Sequence, residues 1–443
     1  MAEMMEVTEP QTSPYDKELE EILKLTWGQQ VRQDIFQRWT QGKPSHLCVN
    51  GISKFSLPGF CFSDDEPTAL VQFDGGPCAV LAPMQAYIIK HIVNNKSIDD
   101  DWKKAEVDEQ NHLLCKAACD ILCQATAGCD ILKFVHIDDK VVCLEHSQFH
   151  SMLKVEQVNK DSMETFINNH ISFMRDTFGI LLFLYTVMRS KGLVKLKEEI
   201  CDLGVSLIDK EFGYGSQSLI NMMITGQAVC NVFNNDQVVA GYKLQGIEKQ
   251  SEVGFMTLLE HLRYCQVGSY LKNPCNPIWV LGSETHLTVL FSFDQNLVHK
   301  ETQVDVARRT FKLFDQGGNN FISTQSLKPL LEKLDLVSDD EYVNLMSSKL
   351  DSEGLGIILM PSFMEEFFSE QETRTPDIFV VFHYNGQPRS NSNSKVTYIE
   401  GNAIIQESDV ICISEDNNLQ SCLQSKWPYI EIQWKGNITP SIN

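Results

Sequence analysis

Residues 72–80 read Gln72-Phe73-Asp74-Gly75-Gly76-Pro77-Cys78-Ala79-Val80, so an amide and a thiol stand six residues apart with Gly-Gly-Pro between them. Two adjacent glycines let a backbone turn sharply and approach a ligand closely. Pro77 stiffens the last step, and the apolar run from Cys78 to Val93 reads as a buried helix that Pro83 either kinks or delays. A cysteine at the mouth of a helix meets the positive end of the macrodipole, which favours thiolate over thiol. Gln72 can aim its side-chain amide, beside the Cys78 backbone N–H, at a developing oxyanion. The plainer reading is a buried cysteine after a loop, the usual fate of a lone thiol.

A base for that thiol lies in Pro277 to Ser292, where two β-rich runs flank Gly282-Ser283-Glu284-Thr285 and His286 opens the second. Period-two alternation puts His286, Thr288 and Leu290 on one face of the strand. A histidine at a strand start, sharing its face with a hydroxyl, suits a general base with an orienting neighbour. Thr288 is one candidate for that neighbour, and Glu284 is a nearby carboxylate. A hydrogen-bonded structural histidine is the alternative. Gln72, Cys78 and His286 together have the layout of a papain-like thiol hydrolase.

Those residues need elements to hold them. Pro14 to Arg38 has helical apolar spacing, through Leu19, Ile22, Leu23, Trp27, Val31 and Ile35. Residues 43–59 form a polar loop. Asp99 to Asp130 reads as a helix with His112, Cys115, Cys119 and Cys123 on one face, a stripe that suits core packing better than zinc. Asp138-Asp139-Lys140 sits as a turn inside a hairpin over Lys133 to Leu144. Asp161 to Ser190 reads as one long helix and Ser216 to Asn231 as a short one, preceded by the Gly213-Tyr214-Gly215 loop. Strands are expected over Ile378 to Tyr384, Lys395 to Ile405 and Tyr429 to Trp434, completing the sheet that the 277–292 hairpin begins.

Between them, Val306 to Phe368 shows helix–loop–helix twice, with loops starting at Asp315 and Asp351. Both resemble EF-hands, but Ser326 and Ser362 stand at position 12, where calcium-binding loops carry a bidentate glutamate. A metal-free, structural EF-hand-like insert is therefore expected. The organisation is an N-terminal tail (1–15), a first catalytic part (16–301), the insert (302–371) and C-terminal strands (372–443). The fold class is α+β, a papain-like variant with helices packed on a mixed or antiparallel sheet.

Composition narrows the function. A 443-residue chain that is 43% hydrophobic supports a sizeable core. Its longest apolar run, Gly179 to Met188, is too short to span a bilayer, and the acidic start Met-Ala-Glu-Met-Met-Glu lacks a signal peptide's order. Fourteen cysteines spread over this length point to reduced thiols in an intracellular protein, nuclear or cytoplasmic. A net charge of -22 argues against nucleic acid as the main partner.

Three stretches, Gln72 to Val80, Gly215-Ser216-Gln217-Ser218-Leu219-Ile220-Asn221 and Gly282 to Val289, resemble the MINDY family of deubiquitinases. His383-Tyr384-Asn385-Gly386 and Lys426-Trp427-Pro428 extend the resemblance, and the insert is similar to that of the third MINDY type in particular. The likeness runs from about residue 16 onward, and the 43–59 loop is extra to the family pattern. It implies a cysteine peptidase hydrolysing isopeptide bonds in polyubiquitin, lysine-48-linked chains above all. By the same resemblance Cys78 is the nucleophile, His286 the general base and Gln72 the oxyanion-hole residue. Thr288 matches a hydroxyl position after the histidine, whereas Glu284 has no family counterpart. No cofactor or metal is called for. The expected partners are polyubiquitin chains and ubiquitinated proteins, not membranes or nucleic acid, and the expected state is a monomer. The rival reading is a catalytically weak ubiquitin-binding scaffold.

Overall fold

The computed structural model describes residues 14–40, 59–126, 128–137, 145–298, 302–315, 319–369, 376, 378–405, 417–436 and 438–443. Most of the 1–15 tail and the 43–59 loop, and the 138–140 turn, lie outside these. The chain divides into two compact units, one of residues 1–294, 379–404 and 414–443, the other of residues 295–378 and 405–413.

The first unit is α+β. Its N-terminal helical pattern is two helices rather than one, α1 (Pro14–Trp27) and α2 (Gln33–Thr40). The break is Gly28, at φ +76°, whose N–H caps the Lys24 carbonyl at 2.8 Å. Helix α3 (Cys78–Asn95) starts at the cysteine itself and runs unbroken through Pro83. Helix α4 (Val107–Ala125) is shorter than the expected span of 99–130 and buries Cys115 and Cys119 in the core, with His112 exposed. Strand β1 (Ile131–His136) pairs antiparallel with β2 (Lys154–Asn159), and residues 138–144 of the expected hairpin lie outside the described residues.

The expected helix over 161–190 is several pieces, of which α5 (Gly179–Lys191) is buried at every residue. Phe178, at φ +69°, ends the preceding turn. Gly179 then lies so close to it that a Cβ there would stand 2.1 Å from the Met174 carbonyl oxygen. Helix α6 (Gln217–Thr225) is capped by the Ser216 hydroxyl, which accepts from the Leu219 N–H, and stops at Gly226 in the left-handed region.

Six strands form the main sheet: β3 (Gly254–Thr257), β4 (Ile278–Gly282), β5 (Leu287–Phe291), β6 (Ile378–Tyr384), β7 (Tyr398–Ile405) and β8 (Ile430–Trp434). Their order is β8-β7-β6-β5-β4-β3, so the three C-terminal strands do extend the β4–β5 hairpin. β3 adds on parallel to β4 and has no counterpart in the sequence reading. Gly282 pairs with Leu287, which closes the hairpin and leaves His286 as the last residue of its turn, one before β5 rather than opening it. Both β4 and β5 are buried at every residue.

The thiols also differ from expectation, because Cys201 and Cys230 are joined as a disulfide. A separation of 29 residues carries no pairing signal, and it is the return of the chain after α6 that brings the two loops together.

The second unit holds four helices, Gln303–Phe314, Leu327–Lys333, Asp340–Leu350 and Met360–Phe368, around their own core of Phe311, Leu327, Leu331, Ile358 and Phe363. The two loops meet in a short antiparallel ladder, Phe321–Ser323 against Ile357–Leu359. Each loop's leading aspartate binds its own backbone: Asp315 accepts from the Asn319 and Asn320 N–H groups (3.1 and 2.8 Å), Asp351 from those of Leu355 and Gly356 (2.8 and 2.7 Å). Among the described residues no helix is long and apolar enough to cross a membrane.

Candidate active site

Cys78 is the first residue of α3, and its side chain is buried. The turn before it is held from both sides. Gly76, at φ +130°, lies so close to the α2 side that a Cβ would stand 3.0 Å from the Trp39 indole nitrogen. That nitrogen in turn donates to the Gly213 carbonyl at 2.9 Å. Gly215 is tighter still, since a Cβ there would be 2.2 Å from the Ala79 Cβ. The Gly213-Tyr214-Gly215 loop is thus packed against the start of α3.

The start of β5, just after His286, comes to this helix mouth. The backbone N–H of Leu287, the next residue, is turned towards the Cys78 sulfur, as are those of Ala79 and Cys78 itself. Burial pushes the Cys78 thiol up to about 11, and these three amides offset only part of that. Burial therefore favours the neutral thiol over the thiolate.

His286 is buried, and burial pulls its pKa down to about 4 despite a hydrogen bond to Asn385 that favours the charged form. That bond joins His286 Nε2 to Asn385 Oδ1 at 3.0 Å. Asn385 Oδ1 also accepts from the Gln387 N–H at 3.0 Å, and its Nδ2 donates to the Ser441 carbonyl at 2.9 Å. The amide thus shows its oxygen to the imidazole, so Nε2 carries the proton and Nδ1 is the basic nitrogen. Nδ1 is buried and has no hydrogen-bond partner among the described residues.

The orienting neighbour is accordingly neither of the two expected. Thr288 Oγ1 is 3.1 Å from Nε2 of His383, the cross-strand histidine of β6, and Glu284 is exposed in the turn. Alternation along the strand pointed to Thr288 as the neighbour of His286, which lies one residue before β5. The strand inserted beside β5 then supplied a closer partner to each of them, Asn385 to His286 and His383 to Thr288. The signal for Asn385 was its place in His383-Tyr384-Asn385-Gly386, one of the stretches that carry the family resemblance, to which no role had been given.

Gln72 is buried on the same loop as Cys78, its backbone N–H bonded to the Gly386 carbonyl at 2.7 Å. Its side-chain Nε2 donates to the Asp74 carbonyl at 2.8 Å, and Asp74 in turn accepts from Arg389 at 3.3 Å. The Asn385–Arg389 segment therefore touches both His286 and the Gln72 loop. No group of metal-ligating side chains is present among the described residues.

A thiol at a helix mouth, an imidazole backed by an asparagine and a glutamine upstream are groups of the kinds that a cysteine-type hydrolase uses. Residues 49–320 match the conserved domain described as "Deubiquitinating enzyme MINDY-3/4". The chain is 41% identical to ubiquitin carboxyl-terminal hydrolase MINDY-3 of Bos taurus and 40% identical to that of Homo sapiens, in each case over 96% of this chain and 99% of the other. It is 30% identical to the probable ubiquitin carboxyl-terminal hydrolase MINDY-4 of Xenopus tropicalis, over 55% of this chain and 34% of that protein. No solved structure matches. The chain belongs to the MINDY-3/4 family of deubiquitinating enzymes, and within it to the MINDY-3 type.

Proposed function

We propose that this deubiquitinating hydrolase cleaves isopeptide bonds in lysine-48-linked polyubiquitin by a papain-like mechanism. The observation that carries the chemistry is the bare, buried Nδ1 of His286, one residue before the strand that meets Cys78, with its other nitrogen held by Asn385. Nδ1 takes the Cys78 proton, and the thiolate attacks the carbonyl carbon of the isopeptide bond. The tetrahedral oxyanion lies against the Cys78 N–H and the Gln72 amide, whose NH₂ group has a second hydrogen beyond the one given to Asp74. The imidazolium returns its proton to the leaving lysine amine. Water, deprotonated by His286, then hydrolyses the thioester. The second unit, on this reading, is an EF-hand-like pair whose loop aspartates serve its own backbone.

Purified lysine-48-linked ubiquitin chains, long and short, incubated with wild type and with Cys78→Ala, test the reading. Cleavage by wild type alone is expected. Cleavage by the alanine variant would remove Cys78 from the mechanism.

One observation favours the alternative of a weakly active ubiquitin-binding scaffold: the resting thiol is neutral and the Gln72 amide is engaged within its own loop. A ubiquitin carrying a carboxyl-terminal electrophile separates the two readings, because an enzyme is labelled at Cys78 and a scaffold is not.

A further inference from the structure

We propose that residues 438–443 form a strap that sets the proton position on His286 through Asn385, making Asn385 and the Ser441 carbonyl positioning groups for Cys78. The inference rests on the thiol-hydrolase reading of the site. Asn385 is buried, and its amide has a defined partner on every side: His286 Nε2 and the Gln387 N–H at Oδ1 (both 3.0 Å), and the Ser441 and Asn443 carbonyls at Nδ2 (2.9 and 3.4 Å). Its own carbonyl accepts from Asn391 at 3.0 Å, so the backbone below the amide is fixed as well.

The strap is anchored by buried Pro440 and Ile442, while Ser441 and Asn443 are exposed. The Ser441 hydroxyl bonds Asn443 in both directions, accepting from its N–H and donating to its carbonyl, each at 3.0 Å. What the strap presents to the site is therefore main-chain oxygen, which can only accept. An Asn385 amide rotated by half a turn would set oxygen against those carbonyls and NH₂ against His286. It would then hold the Nε2 lone pair and force the imidazole proton onto Nδ1, where the imidazole cannot take a proton from the thiol. With the strap absent, one contact, the Gln387 N–H, is left to choose between the two orientations.

The test compares the full chain, a chain lacking residues 438–443, Asn385→Ala and the combination. Two quantities are read: the rate of Cys78 alkylation by iodoacetamide between pH 6 and 9, followed on the Cys78 peptide by mass spectrometry, and kcat and KM on ubiquitin chains. Losing the strap should lower the neutral-pH alkylation rate and kcat about five- to tenfold, the weight of one hydrogen bond, with KM unchanged. Asn385→Ala should lower them at least as much, and the combination no further. An unchanged rate in the shortened chain, or losses that multiply in the combination, would overturn the proposal. Where the shortened chain does not fold by circular dichroism, Ile442→Asn, which removes the anchor alone, is read by the same criteria. Alkylation needs no ubiquitin. Strap-dependent alkylation without chain cleavage would thus count against the deubiquitinase mechanism and not against the strap, whereas strap-independent alkylation with normal cleavage would do the reverse.

Discussion

The resting state of the site is written in three side chains. Cys78 is neutral because burial outweighs the amides around it, and His286 is neutral because burial outweighs Asn385. On the mechanism proposed above, the attacking ion pair is then made only when substrate arrives, and the residues that favour it should weigh on kcat. Replacing Gln72 by Ala, which on that mechanism removes an oxyanion donor, should lower kcat by about 10²- to 10³-fold with little change in KM, measured by steady-state chain cleavage. Cys78 and Gln72 were legible in the sequence because their relation is local: six residues, two glycines and a proline set it. Asn385 was not, because it reaches His286 across 99 residues. That meeting depends on β6 lying next to β5, which the spacing of neither segment reveals.

At the scale of elements, the site depends on how closely α6 and its approach loop lie against α3. Gly215 makes that approach possible, since the next carbon would meet the Ala79 Cβ at 2.2 Å. Gly215→Ala should cost about 1–3 kcal/mol in urea unfolding, the usual range for overpacking, and should depress cleavage by displacing the first turn of α3. Wild-type stability in that variant would mean the loop yields easily. Element boundaries were the least legible part of the fold. Apolar periodicity continues across Gly28 and across Phe178 because the same face stays buried on both sides of each break. The left-handed backbone angle, +76° at Gly28 after the first helix and +69° at Phe178 just before the second, marks the break. Strand β3 was missed for a related reason, being four residues long and buried throughout, with no alternation to betray it.

The whole molecule should be acid-sensitive. His150, His286 and His383 are all held neutral by burial, at about 4, 4 and 3 against an ordinary 6.5. Between pH 6.5 and about 4 the unfolded chain therefore takes up protons that the fold refuses. Each of these histidines then removes up to about 1.4 kcal/mol of stability per pH unit as pH falls. Relief of repulsion from a net charge of -22 works the other way, so the contribution is isolated by difference. His383→Gln should flatten the loss of urea stability between pH 7 and pH 5 relative to wild type, and parallel curves would show that His383 is not one of the groups responsible.

The bond between Cys201 and Cys230 makes the chain between them a closed ring, and α6 rides on that ring. Residues 209–212, on the same ring, are exposed, with Lys210 among them. A single tryptic nick at Lys210 would therefore leave one covalent molecule, migrating as an intact chain until a reductant releases two fragments. In the uncut protein, closing a loop of this length restrains the unfolded chain by about 3–4 kcal/mol; in the nicked protein the same bond holds the two fragments together, so the fold should persist until the bond is reduced.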